Sequence, residues 1–135
     1  MSTVTPDRMT TARHARKVRT PAVTATIAAD RSAAHVARNA GQLEEAWRLL
    51  ERTHILSQPW PWLHVRSHFD MLRLAVHARD RHEIVGQIAR TIVAGPGSAT
   101  GRYPLGNTGR ANVPATRPMP LPEDLAGLLV EQACQ

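Results

Sequence analysis

The sequence is poor in aromatic residues and has a single cysteine, and each scarcity excludes a class of protein. Aromatic residues are 4% of the 135-residue chain, so a core must depend on Leu, Ile, Val and Ala, which suits close helix packing better than a β-sandwich. Cys134 alone forms no intramolecular disulfide and fits a reducing compartment, so we expect a cytoplasmic protein. No apolar run approaches the roughly 20 residues of a membrane-spanning helix, so we expect no membrane association.

Acidic residues are also scarce, and the basic excess is concentrated at the N-terminus. The formal net charge is +6. Beyond residue 20 the basic residues are interspersed with acids and form no stripe on one helix face, so we do not expect nucleic-acid binding. Residues 1–24 carry scattered charge, two prolines and few large apolar residues, so they are interpreted as a disordered basic tail. The basic residues of that tail are Arg8, Arg13, Arg16, Lys17 and Arg19.

Residues 25–130 have the length and the periodicity of a single helical domain. Apolar residues recur at helical spacing in four segments, which end at Gly41, at the Pro59–Trp62 break, before Asp80 and at Gly95-Pro96-Gly97. We therefore predict an all-α fold with one or two antiparallel helical hairpins. The apolar stripes include Ala33, Val36, Ala37, Ala46, Trp47, Leu50, Phe69, Leu72, Val76, Ile84, Ile88 and Ile92.

The C-terminal third is predicted to be mostly irregular. Residues 95–120 are rich in Gly, Pro, Asn and Thr and keep neither a 2-residue nor a 3.6-residue period. A short helix is predicted to start at Pro122, because proline suits a first turn and Glu123 and Asp124 complement the helix dipole. Its leucines give it an apolar face with which to dock on the hairpins.

Two segments resemble parts of tetratricopeptide repeats. Residues 41–56 are similar to the turn and second helix of such a repeat, and residues 80–85 resemble a looser copy. Repeats of this kind normally need three copies to form a solenoid, so the resemblance implies a helical-hairpin stack. Stacks of this type commonly bind other proteins, which is an analogy at the level of the fold.

A second resemblance covers residues 31–130. The segments 50–58 (Leu-Glu-Arg-Thr-His-Ile-Leu-Ser-Gln), 64–68 (His-Val-Arg-Ser-His), 71–72, 86–87, 101–109 and 117–125 resemble, in this order, a family of short bacterial proteins of unknown function. Residue 57 departs from the pattern, since serine stands where we expect glycine. The resemblance implies a bacterial, cytoplasmic, single-domain protein and brings no established activity with it.

Histidines are the strongest candidates for chemistry. His64 and His68 are spaced i, i+4, which puts both imidazoles on one side of a helix, and His54 lies at the end of the preceding helix. Antiparallel packing brings those positions together, with Glu51 as a further ligand or orienting group and His35 as a possible fourth histidine. Imidazole ligands suit Zn, Ni, Cu or Fe. The alternative is structural, because His54 and His68 also lie on apolar stripes, where histidines are usually hydrogen-bonded core residues.

Two other groups of residues are candidates for binding a ligand or a partner. Trp60 and Trp62 either cover the end of a hairpin or anchor a protein partner. The segment around Asn107 is either an ordinary turn or a loop that faces a ligand, with Arg102 and Arg110 attracting an anion. The sequence carries no nucleophile–base pair and no phosphate loop, so we do not expect an enzyme.

The sequence therefore favours a protein-interaction module on a small helical scaffold. The alternative function is a metal-binding accessory protein that uses the histidine cluster. The partner, the metal and the oligomeric state are left open.

Overall fold

The computed structural model describes residues 19–134, and within that range the chain forms five α-helices and no strand. The predicted all-α class is therefore confirmed. None of the helices in this range has both the length and the apolar character required to cross a bilayer. The helices are α1 (Pro21–Asn39), α2 (Leu43–Ser57), α3 (Pro61–Ala78), α4 (Arg81–Ala99) and α5 (Glu123–Ala133).

Short turns join the first four helices into two hairpins. Gly41 adopts a φ of 74° between α1 and α2, and Arg79 adopts a left-handed φ of 56° between α3 and α4. In the next residue, Asp80, the side chain caps α4 by accepting a hydrogen bond from the Glu83 N–H at 3.0 Å. Each hairpin packs on itself, α2 packs on α3, and α5 rests on α1 and α2.

The apolar interior consists of two clusters. The first lies among the four hairpin helices and relies on alanines that let the helices approach closely. The second lies where the start of α1 and the end of α2 meet α5. The first cluster contains Ala34, Ala37, Ala46, Trp47, Leu49, Leu50, Met71, Leu74 and Ala75, and the second contains Val23, Ile27, Ile55, Leu56, Leu125 and Leu129.

The first helix begins earlier than the sequence indicated. Residues 21–24 were assigned to the tail, but α1 starts at Pro21 because Thr20 caps it, accepting from the Val23 N–H at 3.2 Å. The Thr20 N–H in turn donates to Gln132 Oε1 of α5 at 2.7 Å. Residues 1–18 lie outside the described part of the chain, and so does the tail predicted there.

The irregular segment is shorter than predicted, because α4 does not stop at Gly95-Pro96-Gly97 but continues to Ala99. Tertiary contacts hold these turns in place. Gly95 lies against α3, since a Cβ there would lie 3.4 Å from Val65 Cγ2, which is van der Waals contact. Ser98 is buried and its hydroxyl donates to the Gln58 carbonyl at 2.6 Å. Local propensity is overridden by packing, and the irregular loop covers residues 100–122.

Candidate metal centre

Three histidines meet in the interior where α2 and α3 pack. His54 comes from the last turn of α2, and His64 and His68 are one turn apart on α3. The tight connection at residues 58–60 folds α3 back onto α2, so the three imidazoles face one another. All three are buried, and their ligand nitrogens lie within 4.8 Å of one another. The predicted convergence of these side chains is present in the structure.

The Nδ1 atoms of His54 and His64 both point at hydrogen-bond acceptors. His54 Nδ1 lies 2.9 Å from the Asn107 carbonyl oxygen, so this nitrogen carries the hydrogen. His64 Nδ1 lies 2.6 Å from Ser98 Oγ. The Ser98 hydroxyl already donates its one hydrogen to the Gln58 carbonyl, so Ser98 Oγ accepts from His64.

The same assignment holds for His68. Its Nδ1 lies 2.8 Å from Gln87 Oε1. The amide nitrogen of Gln87 donates to Glu83 Oε2 at 3.1 Å and to the Gly109 carbonyl at 2.9 Å, which fixes the amide with its oxygen toward the imidazole. His68 Nδ1 therefore carries the hydrogen.

The three neutral imidazoles consequently present three bare Nε2 atoms to one another. His54 Nε2 lies 2.9 Å from His64 Nε2 and 3.2 Å from His68 Nε2. A hydrogen on the Nε2 of His54 or His68 would leave the corresponding Nδ1 facing an acceptor. A hydrogen on the Nε2 of His64 would require the Ser98 hydroxyl to turn away from the Gln58 carbonyl, and the Nε2 atoms of His54 and His68 would still oppose each other at 3.2 Å. No neutral arrangement therefore satisfies all three Nε2 atoms. A cation between the rings satisfies all three nitrogens at once.

Burial keeps the cluster neutral. Desolvation, followed by repulsion from a charged His68, lowers the pKa of His64 to about 4. Desolvation also lowers the pKa of His68 to about 4, against the opposing effect of its hydrogen bond to Gln87. Burial and the charges of the other two imidazoles lower the pKa of His54 well below its usual value. At neutral pH the three side chains are therefore lone-pair donors.

The loop at residues 100–122 closes the cluster from the α2 side. Asn107 organises the loop: its amide nitrogen donates to the Pro114 and Arg117 carbonyls at 2.9 and 2.8 Å, and its Oδ1 accepts from the Gly109 N–H at 2.9 Å. Gly109 has a φ of 80°, and a Cβ there would lie 2.9 Å from His54 Cδ2 and Nε2. Only glycine combines this backbone with this close approach to the ring.

An ionic network continues outward from the Gln87 side chain. The buried Glu83 accepts from Arg110 Nε at 2.6 Å, and Arg110 Nη1 also donates to Glu51 Oε1 at 3.2 Å. The Arg110 guanidinium stacks 4.0 Å from the centre of the Trp47 ring. Glu51, predicted as a ligand or orienting group, thus binds Arg110 and not an imidazole. Arg110 and Asn107 were predicted to face an anion or a ligand, but their side chains bind groups of the protein itself.

Other predicted residues lie away from the cluster. His35 is exposed on α1, where its Nδ1 lies 3.0 Å from Arg38 Nη2, and it does not join the other histidines. Trp60 is half-buried against the second apolar cluster, with the Arg19 guanidinium 6.0 Å from its ring centre. Trp62 is 76% exposed. Arg102 is exposed at the start of the loop.

Four residues that position the histidines were not singled out from the sequence. Gln87, Ser98, Glu83 and Gly109 all belong to segments distant along the chain from the imidazoles that they support. A partial signal was present, because the pair 86–87 and the segment 101–109 are among the motifs that carry the family resemblance. Those motifs surround a single site.

The fold and the cluster define a class: a small helical protein with three buried histidines, each hydrogen-bonded through Nδ1 to a fixed acceptor. Within that class, the chain belongs to a family described as proteins of unknown function (DUF3703), whose model matches residues 21–129. No curated protein matches the chain, and no solved structure matches it. The bacterial origin, the cytoplasmic location and the tetratricopeptide likeness stay predictions.

Proposed function

We propose that the protein binds one divalent transition-metal ion through the Nε2 atoms of His54, His64 and His68. The observation that carries this proposal is the hydrogen count: each Nδ1 is committed to an acceptor, so three lone pairs point into one space. Metal-ligating histidines usually donate their second ring nitrogen to such an outer partner. A purely structural cluster would instead pair each ring nitrogen with a complementary group.

The donor set indicates the class of ion. Three neutral nitrogens without a carboxylate in the group match Zn²⁺, Ni²⁺, Cu²⁺ or Fe²⁺ better than Ca²⁺ or Mg²⁺, which prefer oxygen. Ligands at zinc–nitrogen distances stand about 3.3 Å apart around a tetrahedral ion. The Nε2 separations from His54, 2.9 and 3.2 Å, are slightly shorter than this, and the three ligand nitrogens span up to 4.8 Å, so the rings must adjust to hold one ion.

Metal titration of the purified, untagged chain tests this function. We expect Zn²⁺, added to protein previously stripped with a chelator, to bind with one ion per chain in calorimetry. Substituting His64→Gln or His68→Gln removes a ligand nitrogen while keeping a polar side chain of similar size, so saturable binding should be lost. His35→Gln and His77→Gln are matched controls, because both histidines are exposed and neither belongs to the cluster.

Circular dichroism of every variant separates a lost ligand from a lost fold. Folded His64→Gln and His68→Gln variants that still bind one equivalent of Zn²⁺ would refute the proposal. Failure of the parent chain to bind Zn²⁺, Ni²⁺, Cu²⁺ or Fe²⁺ would refute it as well.

We infer a second function, protein interaction, from a different region. Large apolar side chains are exposed mainly on one hairpin. Among residues 19–134, the exposed large hydrophobic side chains outside α3 and α4 are only Val36 and Val130. Those on the α3–α4 hairpin are Trp62, Phe69, Val76, Val85, Ile88, Ile92 and Val93. Exposed apolar surface concentrated in this way supports a docking role for the hairpin.

A further inference from the structure

Helix α3 carries an apolar stripe on its outer side. Trp62, Phe69 and Val76 follow one another at seven-residue intervals, which places them on one side of the helix. They are 76, 49 and 56% exposed. The side chains of Val65 and Leu72, at intermediate positions, are half-buried and border the same stripe.

Helix α4 carries a matching stripe. Val85, Ile88 and Ile92 are spaced i, i+3, i+7 and are therefore also on one side of their helix. The two stripes are neighbours, because α3 and α4 form one hairpin in which Val65 Cγ2 lies beside Gly95. We call the six residues Trp62, Phe69, Val76, Val85, Ile88 and Ile92 the hairpin face.

The charges around the hairpin face have one sign. Arg66, Arg73, Arg79 and Arg81 are exposed on these helices or at the turn between them. The acids of the same hairpin are engaged elsewhere. Asp70 binds Arg31 of α1 at 2.5 Å, Asp80 caps α4, and the buried Glu83 binds Arg110. A partner of the face therefore meets apolar side chains bordered by unopposed guanidinium groups.

We propose that the hairpin face docks an amphipathic helix of another protein whose apolar stripe is flanked by Asp and Glu. This inference rests on the interaction function proposed above and names its partner by chemistry. A helix laid along the hairpin would bury its apolar stripe between the two stripes of the face. Its carboxylates would meet the bordering arginines, and such charge complementarity selects partners more than it adds affinity.

The charge argues against the chain itself as the occupant. A second copy docking through the same face would bring its own four arginines against the first set, which is unfavourable. Residues 1–18 of the chain are basic by sequence, so they have the same sign. An acidic helix is the occupant whose charges the face complements.

Labelled synthetic peptides test the proposal on the full-length protein. One peptide is an amphipathic helix of about 20 residues with a leucine stripe and glutamate flanks, and the other has lysine in place of every glutamate. In fluorescence anisotropy we expect only the glutamate peptide to bind. The substitutions Trp62→Ser with Ile92→Ser should weaken that binding about tenfold or more, since they remove two apolar anchors.

Two further variants complete the experiment. Val36→Ser with Val130→Ser removes two apolar side chains outside the face that are also mostly exposed, at 65 and 61%, and should leave binding unchanged. Arg66→Glu with Arg73→Glu should transfer binding to the lysine peptide. Equal binding of both peptides, or tighter binding to phosphatidylglycerol vesicles, would overturn the proposed partner.

The remaining outcomes separate the partner from the interaction function itself. Self-association in sedimentation that Trp62→Ser with Ile92→Ser abolishes would overturn the acidic partner but retain interaction through the face. Absence of binding to both peptides and to vesicles, with a monomeric parent, would overturn both.

Discussion

The interior has two halves that are built on different principles. Around Leu50, Leu74 and the alanines of α1 and α2, the side chains are apolar and need no specific polar partner. They stabilise the fold by burying apolar surface. Around His54, His64 and His68, the buried side chains are polar, and each Nδ1 has a specific partner drawn from α4 or the loop. The apolar half holds the hairpins together, whereas the polar half requires a particular arrangement of hydrogens.

The two halves are expected to contribute differently to the stability of the fold. Buried polar groups contribute less to stability than apolar groups of the same volume and are destabilising when one partner is missing. The chain nevertheless places three imidazoles, Gln87 and Asn107 in its interior. The free energy of folding therefore depends mainly on the apolar half, and the polar half is the region to which we assign the proposed metal binding.

Acidification should have the largest effect on stability and should act mainly through the histidines of the polar half. Folded His64 and His68 have pKa values of about 4, below the unfolded value of 6.5, so between these pH values the unfolded chain binds more protons. Stability of the metal-free protein should therefore fall as the pH drops from about 6.5 to 4, by on the order of several kcal/mol. Urea denaturation at several pH values in this range measures the free energy of unfolding. We expect it to depend less on pH in the variant with both His64→Gln and His68→Gln.

The next largest effect is expected when a side chain of the apolar half is shortened. Leu74 is 2% exposed within the first cluster. Leu74→Ala leaves a cavity and should lower the free energy of unfolding by about 2–5 kcal/mol. Zn²⁺ affinity of the folded variant should stay at the parent value, because the histidine partners are untouched. A large loss of affinity would mean that the two halves are not separable.

Two glycine substitutions compare the loop with the α1–α2 turn. Gly109 and Gly41 have similar positive φ values, 80 and 74°, but only Gly109 faces an imidazole. Gly41→Ala should cost about 1–2 kcal/mol from its backbone alone. Gly109→Ala must also displace the His54 ring, adding about 1–3 kcal/mol and weakening Zn²⁺ binding. Equal effects of the two substitutions on stability and affinity would contradict the close approach.

The smallest expected effect concerns one orienting amide. Gln87→Leu leaves the His68 Nδ1–H without its acceptor, so Zn²⁺ should bind about 10–100-fold more weakly. Gln132→Leu is the matched control, since Gln132 is another buried glutamine, whose side-chain oxygen accepts from the Thr20 N–H and not from a histidine of the cluster. Calorimetry on both variants should register a change in affinity for the first only.

The sequence was sufficient for the helices and for the meeting of the histidines. Periodicity located the first four helices, and Pro122 with the acids after it located the fifth. The i, i+4 spacing of His64 and His68 next to a helix break at Pro59 implied that His54 would join them. These features are local, or depend only on two consecutive helices packing side by side. His35, predicted as a fourth histidine, does not join the cluster because its ring lies on the exposed side of α1.

The outer partners of the histidines could not be predicted in the same way. Asn107 and Ser98 reach the imidazoles only after the loop folds back and α4 continues through Pro96, and both depend on tertiary contacts. A proline flanked by glycines ordinarily ends a helix. The boundary at residue 25 was missed because the bond between Thr20 and Gln132 joins opposite ends of the chain.

The stacking of Arg110 on Trp47 gives the interior an optical reporter. Arg110 is two bonded partners away from the imidazoles, through Glu83 and Gln87 to His68. A guanidinium 4.0 Å from an indole perturbs its emission, so a shift of this chain of contacts would change the colour or yield of Trp47 fluorescence. In a variant carrying Trp60→Phe and Trp62→Phe, Trp47 would be the only tryptophan. Its fluorescence would then report a change at the histidine cluster without an added dye.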